Sequence, residues 1–538
     1  MMFKADVNHD ILSPVSFLER SARVYPDKTA VIYDDRRYSY REFQARIHRL
    51  ANALRETGIG PGDKVVFLCP NTPPLLEAHF AVPMLGAVLV CVNIHLSTGE
   101  YRYIIDHSDA AAVFVDSEYA PTIEAIRDDL EKVKLYVTIN DTAAAPLLPG
   151  PDYEDFIAHA AATAPDLLAV IDEDTPITIN YTSGTTGKPK GVMCSHRSTC
   201  LHALGEIIET SLASDAVYLW TLPIFHCNGW GFVWAVTAVG GTHVCLRHCE
   251  PGDIFRLIER ERVSLLCAAP NVLLALVCYP QSVEVKLRRP LQVLTAGASP
   301  SPTILQGIED IGANITHVYG LTELHGPHSV CAWQAPWTEL DPDALTRMKA
   351  RQGVPYTTSL YMEVVDPVTM QPVPADGRTI GEVVMRGNNV MLGYYKDREA
   401  TAQAFRGGWF HSGDLGVMHP DGYVQIMDRV ADIIVRGGDI ISSVEIEEVI
   451  SRHPDVLEVA VVSAPDPVWG EVPKAFVVPK PGRTPTAEQI IAFCRENHAD
   501  FKAPQTVEFA QLPKTATGKT IKARLRDQEW FGFQRKVS

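Results

Sequence analysis

Eleven residues, Tyr181 to Gly191, concentrate the polar chemistry of this chain: YTSGTTGKPKG. Hydroxyls come from Thr182, Ser183, Thr185 and Thr186, glycines from Gly184, Gly187 and Gly191, and cations from Lys188 and Lys190. The preceding residues 177–180, ITIN, are β-branched and read as a strand. A strand opening into a Gly/Ser/Thr loop with lysine is a phosphate cradle. Glycines let backbone N–H groups approach an anion, hydroxyls donate hydrogen bonds, and lysine neutralises charge. It is not a Walker A loop: Gly184 and Gly187 stand too close, and Pro189 follows Lys188 where Ser or Thr belongs. The alternative is a plain surface turn.

Three further stretches have chemistry of the same kind. Tyr319-Gly320-Leu321-Thr322-Glu323 combines an aromatic ring that stacks on a base, a hydroxyl that donates to phosphate, and a carboxylate that holds a divalent cation. Trp409-Phe410-His411-Ser412-Gly413-Asp414, with Asp428-Arg429 after it, offers a carboxylate suited to ribose hydroxyls. Pro513-Lys514-Thr515-Ala516-Thr517-Gly518-Lys519 presents a lysine in a Gly/Thr loop. Taken singly, each also reads as an ordinary turn or a solvated charge. A fourth group, His243, Cys245, His248 and Cys249, invites a metal reading. Alternation along a strand puts His243 and Cys245 on one face and His248 on the other, so a buried strand is expected instead.

Together, and in this order, the four motifs resemble those of the adenylate-forming superfamily: acyl-CoA synthetases, adenylation domains of peptide synthetases and firefly-type luciferases. The resemblance covers nearly the whole chain. It implies that residues 182–188 hold the β- and γ-phosphates of ATP, that Thr322 meets the α-phosphate and that Glu323 holds Mg²⁺. It assigns Gly297, Ala298 and Ser299, with Tyr319 and Gly320, to the adenine and acyl walls, Asp414 to the ribose and Arg429 beside it. Lys519 takes the place of the catalytic lysine. Its chemistry suits that role: carboxylate attack on the α-phosphorus builds charge on oxygens, which a point cation stabilises. Gly437-Gly438 matches the site where the pantetheine arm of CoA passes.

The stretch FHCNGW, residues 225–230, points to a branch of the family. Peptide-synthetase domains carry an aspartate where this chain has His226, and an unpaired amino cation is costly to bury. The form resembles acyl-CoA synthetases for short and medium acids and assigns His226 to catalysis and the acyl pocket. Trp230, Phe232 and Trp234 are bulky residues that shorten a pocket, or else core aromatics. One position departs from the family: Ala431 occupies a hinge site that usually holds Asp or Lys.

Composition agrees with an enzyme of this kind. The 538 residues are about three to four domains' worth of chain, 46% hydrophobic and 21% charged. A net charge of −17 argues against nucleic acid or an anionic membrane as the main partner. The N-terminal stretch MMFKADVNHDILSP does not read as a secretory signal, no run of about 18 apolar residues suggests a membrane span, and the final Lys536-Val537-Ser538 is not a peroxisomal tripeptide. Eleven scattered cysteines suit a reducing, cytoplasmic setting.

The elements that must position these residues alternate. Phe43, Ile47, Leu50 and Leu54 line one helical face behind a Ser39/Glu42 capping box. Strands are expected at 65–68, 87–92, 112–116, 134–140, 216–222, 242–247, 264–269 and 291–296, with helices such as 252–262 and 301–311 between them. That rhythm predicts an α/β fold with parallel, helix-covered sheets. From about 355, short strands divided by Gly/Pro/Asp turns predict a small antiparallel barrel or sheet, and a compact α+β lid comes after it from about 431. Domains are placed at 1–428 and 429–538. The expected activity is ATP-dependent acyl-CoA synthesis through an acyl-adenylate, with carrier-protein ligation and a non-catalytic nucleotide-binding relative as alternatives. A homodimer is expected from family habit.

Overall fold

A computed structural model of the chain describes residues 10–141, 148–165, 172–182, 188–280, 282, 287–437, 439–497, 502–515 and 518–533. The expected capping box starts the helix Tyr40–Glu56: Glu42 accepts from the Ser39 N–H at 2.7 Å, and Ser39 accepts from the Glu42 N–H at 3.3 Å. The apolar stripe of that helix is fully buried. The helix Pro73–Met84 is mostly apolar all round and all its residues are buried, its Glu77 being paired with Arg46. Its Phe80 belongs to one core cluster with Phe67 and Phe114 of one sheet and Tyr218 and Leu265 of another.

Those two sheets have seven and nine described strands. In the first, Pro176–Tyr181, Val88–Cys91, Lys64–Leu68, Ala110–Asp116 and Leu135–Ile139 run parallel. Their near-continuous Val/Ile/Leu content is what burial on both faces requires. The strand Gly191–Ser195 returns antiparallel beside Pro176–Tyr181, so these two strands pair as neighbours and not through a parallel crossover. The second sheet is parallel at its centre and antiparallel at its ends, where Arg36–Ser39 and Gly326–Val330 pair. The expected parallel architecture therefore holds for the middle of each sheet and gives way at the edges.

The small barrel or sheet expected beyond 355 is a sheet of four described strands, Tyr361–Val365, Gly381–Arg386, Phe410–Met418 and Val424–Arg429, all antiparallel. No described pairing closes it into a barrel, for which four strands are too few. A small C-terminal domain comes next. Its described strands form a five-stranded sheet covered by the helices Ser443–Ser451 and Ala487–Asn497.

Of the His/Cys group at 243–249, His243 and Cys245 lie on the buried strand Thr242–Cys245, while His248 and Cys249 lie beyond its end. His243 accepts from the Trp220 indole at 3.2 Å and contacts the Thr237 hydroxyl at 3.0 Å within the buried strand Thr242–Cys245. Among the described residues no cluster of His, Cys, Asp or Glu is arranged to hold a metal. All eleven cysteines are free thiols. No helix among the described residues is long and apolar enough to cross a membrane.

Candidate active site

The C-terminal domain closes over the large one around a cleft of about 2610 Å³. That is more than a single small ligand needs and enough for a nucleotide with an acyl group. Its walls include strand ends, where parallel sheets leave loops free to carry ligands, together with helix residues such as Asn271 and Glu447.

Asp414 and Arg429 face each other across two antiparallel strands. Arg429 Nε lies 3.3 Å from one Asp414 oxygen, and the Tyr319 hydroxyl donates to the other at 2.6 Å. Tyr319, Gly320 and Leu321 end the strand Ala313–Leu321, so only the last two residues of the YGLTE stretch are in a turn. Gly320 is required there: a Cβ would fall 1.7 Å from the Gly326 carbonyl oxygen.

Thr322 and Glu323 form the first turn beyond that strand. The Cys227 thiol donates to the Thr322 hydroxyl at 3.4 Å, and the Tyr394 hydroxyl donates to Glu323 at 2.8 Å. Burial raises the pKa of Glu323, against the pull of Arg429 and Lys190. A half-buried carboxylate at the cleft, with oxygen as its donor atom, fits a hard divalent cation such as Mg²⁺.

Lys519 enters from the C-terminal domain. Its loop is seated on the large domain at Gly518, where an added Cβ would fall 1.9 Å from the Asn271 side chain. Lys519 lines the cleft with His226, Asp414 and Arg429. Burial first, and then Arg429, lower its pKa to about 8. Burial and the nearby Lys519 lower His226 to about 4, so His226 is neutral at pH 7.

Thr182, Lys188, Gly297, Ala298 and Ser299 also line the cleft. Lys188 lies over the Tyr103 ring at 5.2 Å, and Lys190 over the Tyr394 ring at 4.9 Å. Ser183, Gly184, Thr185, Thr186, Gly187 and Gly438 lie outside the described residues. Of the three aromatics read as pocket walls or else core, Trp230 lines the cleft. Phe232 and Trp234 do not: Phe232 stacks on Tyr218 and Trp234 packs edge-on to His79, both in the core. Gly437 is not in the cleft in this orientation of the C-terminal domain. It occupies an exposed hairpin turn, its N–H donating to the Trp469 carbonyl at 2.8 Å.

Sequence reasoning missed several residues. Gln352 donates to Ser299 at 3.1 Å and accepts from the Ile426 N–H, joining the loop that carries Ser299 to the four-stranded sheet. Tyr394 supports Glu323 from far along the chain, and no spacing rule points to it. Asp428 accepts from both the N–H and the hydroxyl of Ser443 at 2.7 Å, linking the large domain to the start of helix Ser443–Ser451. Arg526 bonds the Ala431 carbonyl at 2.8 Å and pairs with Asp432.

Comparison with known proteins gives the family. The AMP-binding enzyme family matches residues 18–395, and the AMP-binding enzyme C-terminal domain matches residues 445–519. The chain belongs to the AMP-binding enzyme family. It is 44% identical over 524 residues to 4-hydroxybutyrate–CoA ligase 2 of Metallosphaera sedula, covering 97% of this chain and 95% of the relative. It is 43% identical over 543 residues to the peroxisomal acetate/butyrate–CoA ligase AAE7 of Arabidopsis thaliana, with the same coverage of 97% and 95%. Among solved structures it matches the anthranilate CoA ligase AuaEII in complex with anthranoyl-AMP, at a TM-score of 0.86 and 27% identity, covering 98% of this chain and 99% of that one. MatB from Rhodopseudomonas palustris, bound to ATP, matches at 0.84 and 25%, covering 97% and 100%. The adenylate-forming superfamily named by the motifs is thus the right one.

Proposed function

We propose residue roles and an acyl range for this chain, an ATP-dependent, AMP-forming acyl-CoA synthetase. The acid is short or medium in length. The observation that carries this reading is Trp230, which lines the cleft beside His226 while remaining 4% exposed. A large ring fixed there leaves room for a short chain and little beyond it. The kinship with ligases named for acetate, butyrate and 4-hydroxybutyrate supports the same range.

In the first half-reaction the carboxylate attacks the α-phosphate of ATP, forming acyl-adenylate and releasing pyrophosphate. Residues 182–188 cradle the outer phosphates. Thr322 donates to the α-phosphate, Asp414 accepts from the ribose hydroxyls and Arg429 holds Asp414 in place. Gly297, Ala298, Ser299, Tyr319 and Gly320 enclose adenine and acyl group. Glu323 holds Mg²⁺, which when bound supplies charge neutralisation at the phosphates. Neutral His226 shapes the acyl entrance without drawing the substrate carboxylate into an ion pair. Lys519 stabilises the charge that develops on the α-phosphate oxygens.

In the second half-reaction the C-terminal domain, 429–538, rotates about Ala431. Lys519 leaves the adenylate, Gly437-Gly438 moves in, and CoA thiolate displaces AMP. The proposed compartment is the cytoplasm, since the eleven unpaired thiols suit a reducing medium. The proposed homodimer rests on family resemblance.

The test is pyrophosphate release from ATP over a panel of acids, with and without CoA. Release that depends on a short acid, with stoichiometric acyl-CoA when CoA is added, is expected. Release with turnover only in the presence of an acyl-carrier protein would favour a carrier-protein ligase.

A further inference from the structure

The turn that carries Trp230 is left-handed. Cys227, Asn228, Gly229, Trp230 and Gly231 have φ of 42°, 44°, 56°, 50° and 78°. Three of these residues are not glycine, and left-handed backbone is strained for them. Such a run persists only where its surroundings over-determine it. Close packing supplies part of the constraint. A Cβ at Gly229 would lie 2.5 Å from the Trp220 ring, and one at Gly231 would lie 2.8 Å from the His202 ring.

A chain of buried hydrogen bonds through Asn228 supplies the rest. His79 Nδ1 is 2.6 Å from the Leu75 carbonyl, which only accepts, so Nδ1 carries the proton and Nε2 is the acceptor. Asn228 Nδ2 donates to His79 Nε2 at 2.9 Å. That fixes the amide orientation and leaves Asn228 Oδ1 to accept from Asn180 Nδ2 at 2.6 Å. Every donor points the same way: Asn180 to Asn228, Asn228 to His79, His79 to Leu75. Burial lowers His79 to about 4, so its Nε2 lone pair stays available at neutral pH. Asn180, Asn228 and His79 are 2%, 0% and 0% exposed. Each donor along this chain has its acceptor, while Asn180 Oδ1 at the head of it is buried without one. A connected buried hydrogen-bond chain rigidifies what it joins.

The two ends of this chain matter. Asn180 stands at the end of the strand Pro176–Tyr181, just before the phosphate loop. Asn228 stands between His226 and Trp230, which both line the cleft on the acyl side. We propose that Asn228 is a positioning residue for acid recognition: held by Asn180 and His79, it locks the left-handed turn so that His226 and Trp230 face the cleft, in fixed register with the strand that bears the phosphate loop. The proposal rests on the acyl-pocket reading above.

The experiment compares full-length Asn228→Ala, Asn228→Gly, Asn180→Ala and the Asn180→Ala/Asn228→Ala double variant. Acid-dependent ATP–pyrophosphate exchange gives KM for butyrate and for ATP, and the profile from butyrate to octanoate. Both Asn228 variants should raise KM for butyrate about tenfold or more, as for a lost buried hydrogen bond, with a much smaller change in KM for ATP. The profile should flatten toward longer acids. The double variant should be no worse than the poorer single variant, because both cut one chain. A wild-type KM in Asn228→Gly would show that left-handed backbone alone suffices, and would overturn the proposal. So would independent, multiplying losses in the double variant. If the Asn228 variants fail to fold, Asn180→Ala cuts the same chain from its other end, and an unchanged KM there overturns it. If the wild type uses another acid better than butyrate, the substrate reading falls, and the same KM comparison made on that acid still decides the role of Asn228.

Discussion

Ser443→Ala should tilt the balance between the two half-reactions. The carboxylate of Asp428, at the end of the four-stranded sheet, accepts the Ser443 N–H and hydroxyl at 2.7 Å each. Lys522 donates to the same hydroxyl at 2.6 Å and pairs with Glu447 at 2.8 Å. Of these, only the two Asp428–Ser443 bonds reach the large domain, and they are expected to hold the C-terminal domain in the orientation that puts Lys519 in the cleft; Lys522 and Glu447 brace Ser443 from within that domain. Burial raises the pKa of Asp428, so separation, which rehydrates this carboxylate, relieves a desolvation cost. The substitution removes the hydroxyl and leaves the N–H bond. A hydrogen bond to a charged group contributes about 1.5–3 kcal/mol, and with one donor retained the lower end applies, about 1.5 kcal/mol or roughly tenfold in the docked ratio. Adenylation is measured by ATP–pyrophosphate exchange, and thioester formation from supplied acyl-adenylate and CoA. The ratio of the first rate to the second should fall by up to about tenfold. An unchanged ratio, or equal losses in both, would refute the idea that this contact holds the adenylating orientation.

Other expectations rest on the same geometry. The pKa of Lys519 is lowered to about 8 in the free enzyme, so its charge is present below that pH and lost as pH rises through it. The kcat/KM for ATP in adenylation should therefore fall above about pH 8, and Lys519→Arg should move that limb upward; a flat profile to pH 10 would contradict it. Trp230→Gly keeps a residue tolerant of the positive φ while removing the ring, so activity should shift toward hexanoate and octanoate; an unaltered chain-length optimum would remove Trp230 from the acyl wall. Ala431→Pro fixes φ at the proposed hinge and should impair the two half-reactions very unequally, while equal losses would place the hinge elsewhere.

The fold was legible where periodicity is strong. The stripe from Phe43 to Leu54 and the capping box at Ser39 locate their helix closely, because burial and capping are local signals. The turn from parallel to antiparallel pairing at Gly191–Ser195 was not legible, since strand direction depends on the path of the chain beyond the loop and not on composition. At the site, Asp414, Glu323 and Lys519 were legible as motifs of contiguous residues. Tyr394, Gln352, Asn228 and Ser443 were not, because each acts through a partner far away in sequence: Ser443 is 15 residues from Asp428, and Asn228 is 149 from His79. Trp234, left open between pocket wall and core aromatic, lies in the core. Its size suggested a pocket wall, but a spacing of four from Trp230 does not say which helix face meets the cleft, and the left-handed turn between them breaks the helical register.

The most direct test of the central claim is Lys519→Ala, assayed in the two half-reactions with one short acid at saturating CoA. Adenylation should fall on the order of 10²-fold or more, as for loss of an oxyanion donor. Thioester formation from supplied acyl-adenylate should survive largely intact, because the rotated C-terminal domain carries this lysine away. Similar losses in both half-reactions would contradict the account, leaving Lys519 a structural residue or the domain fixed in one orientation.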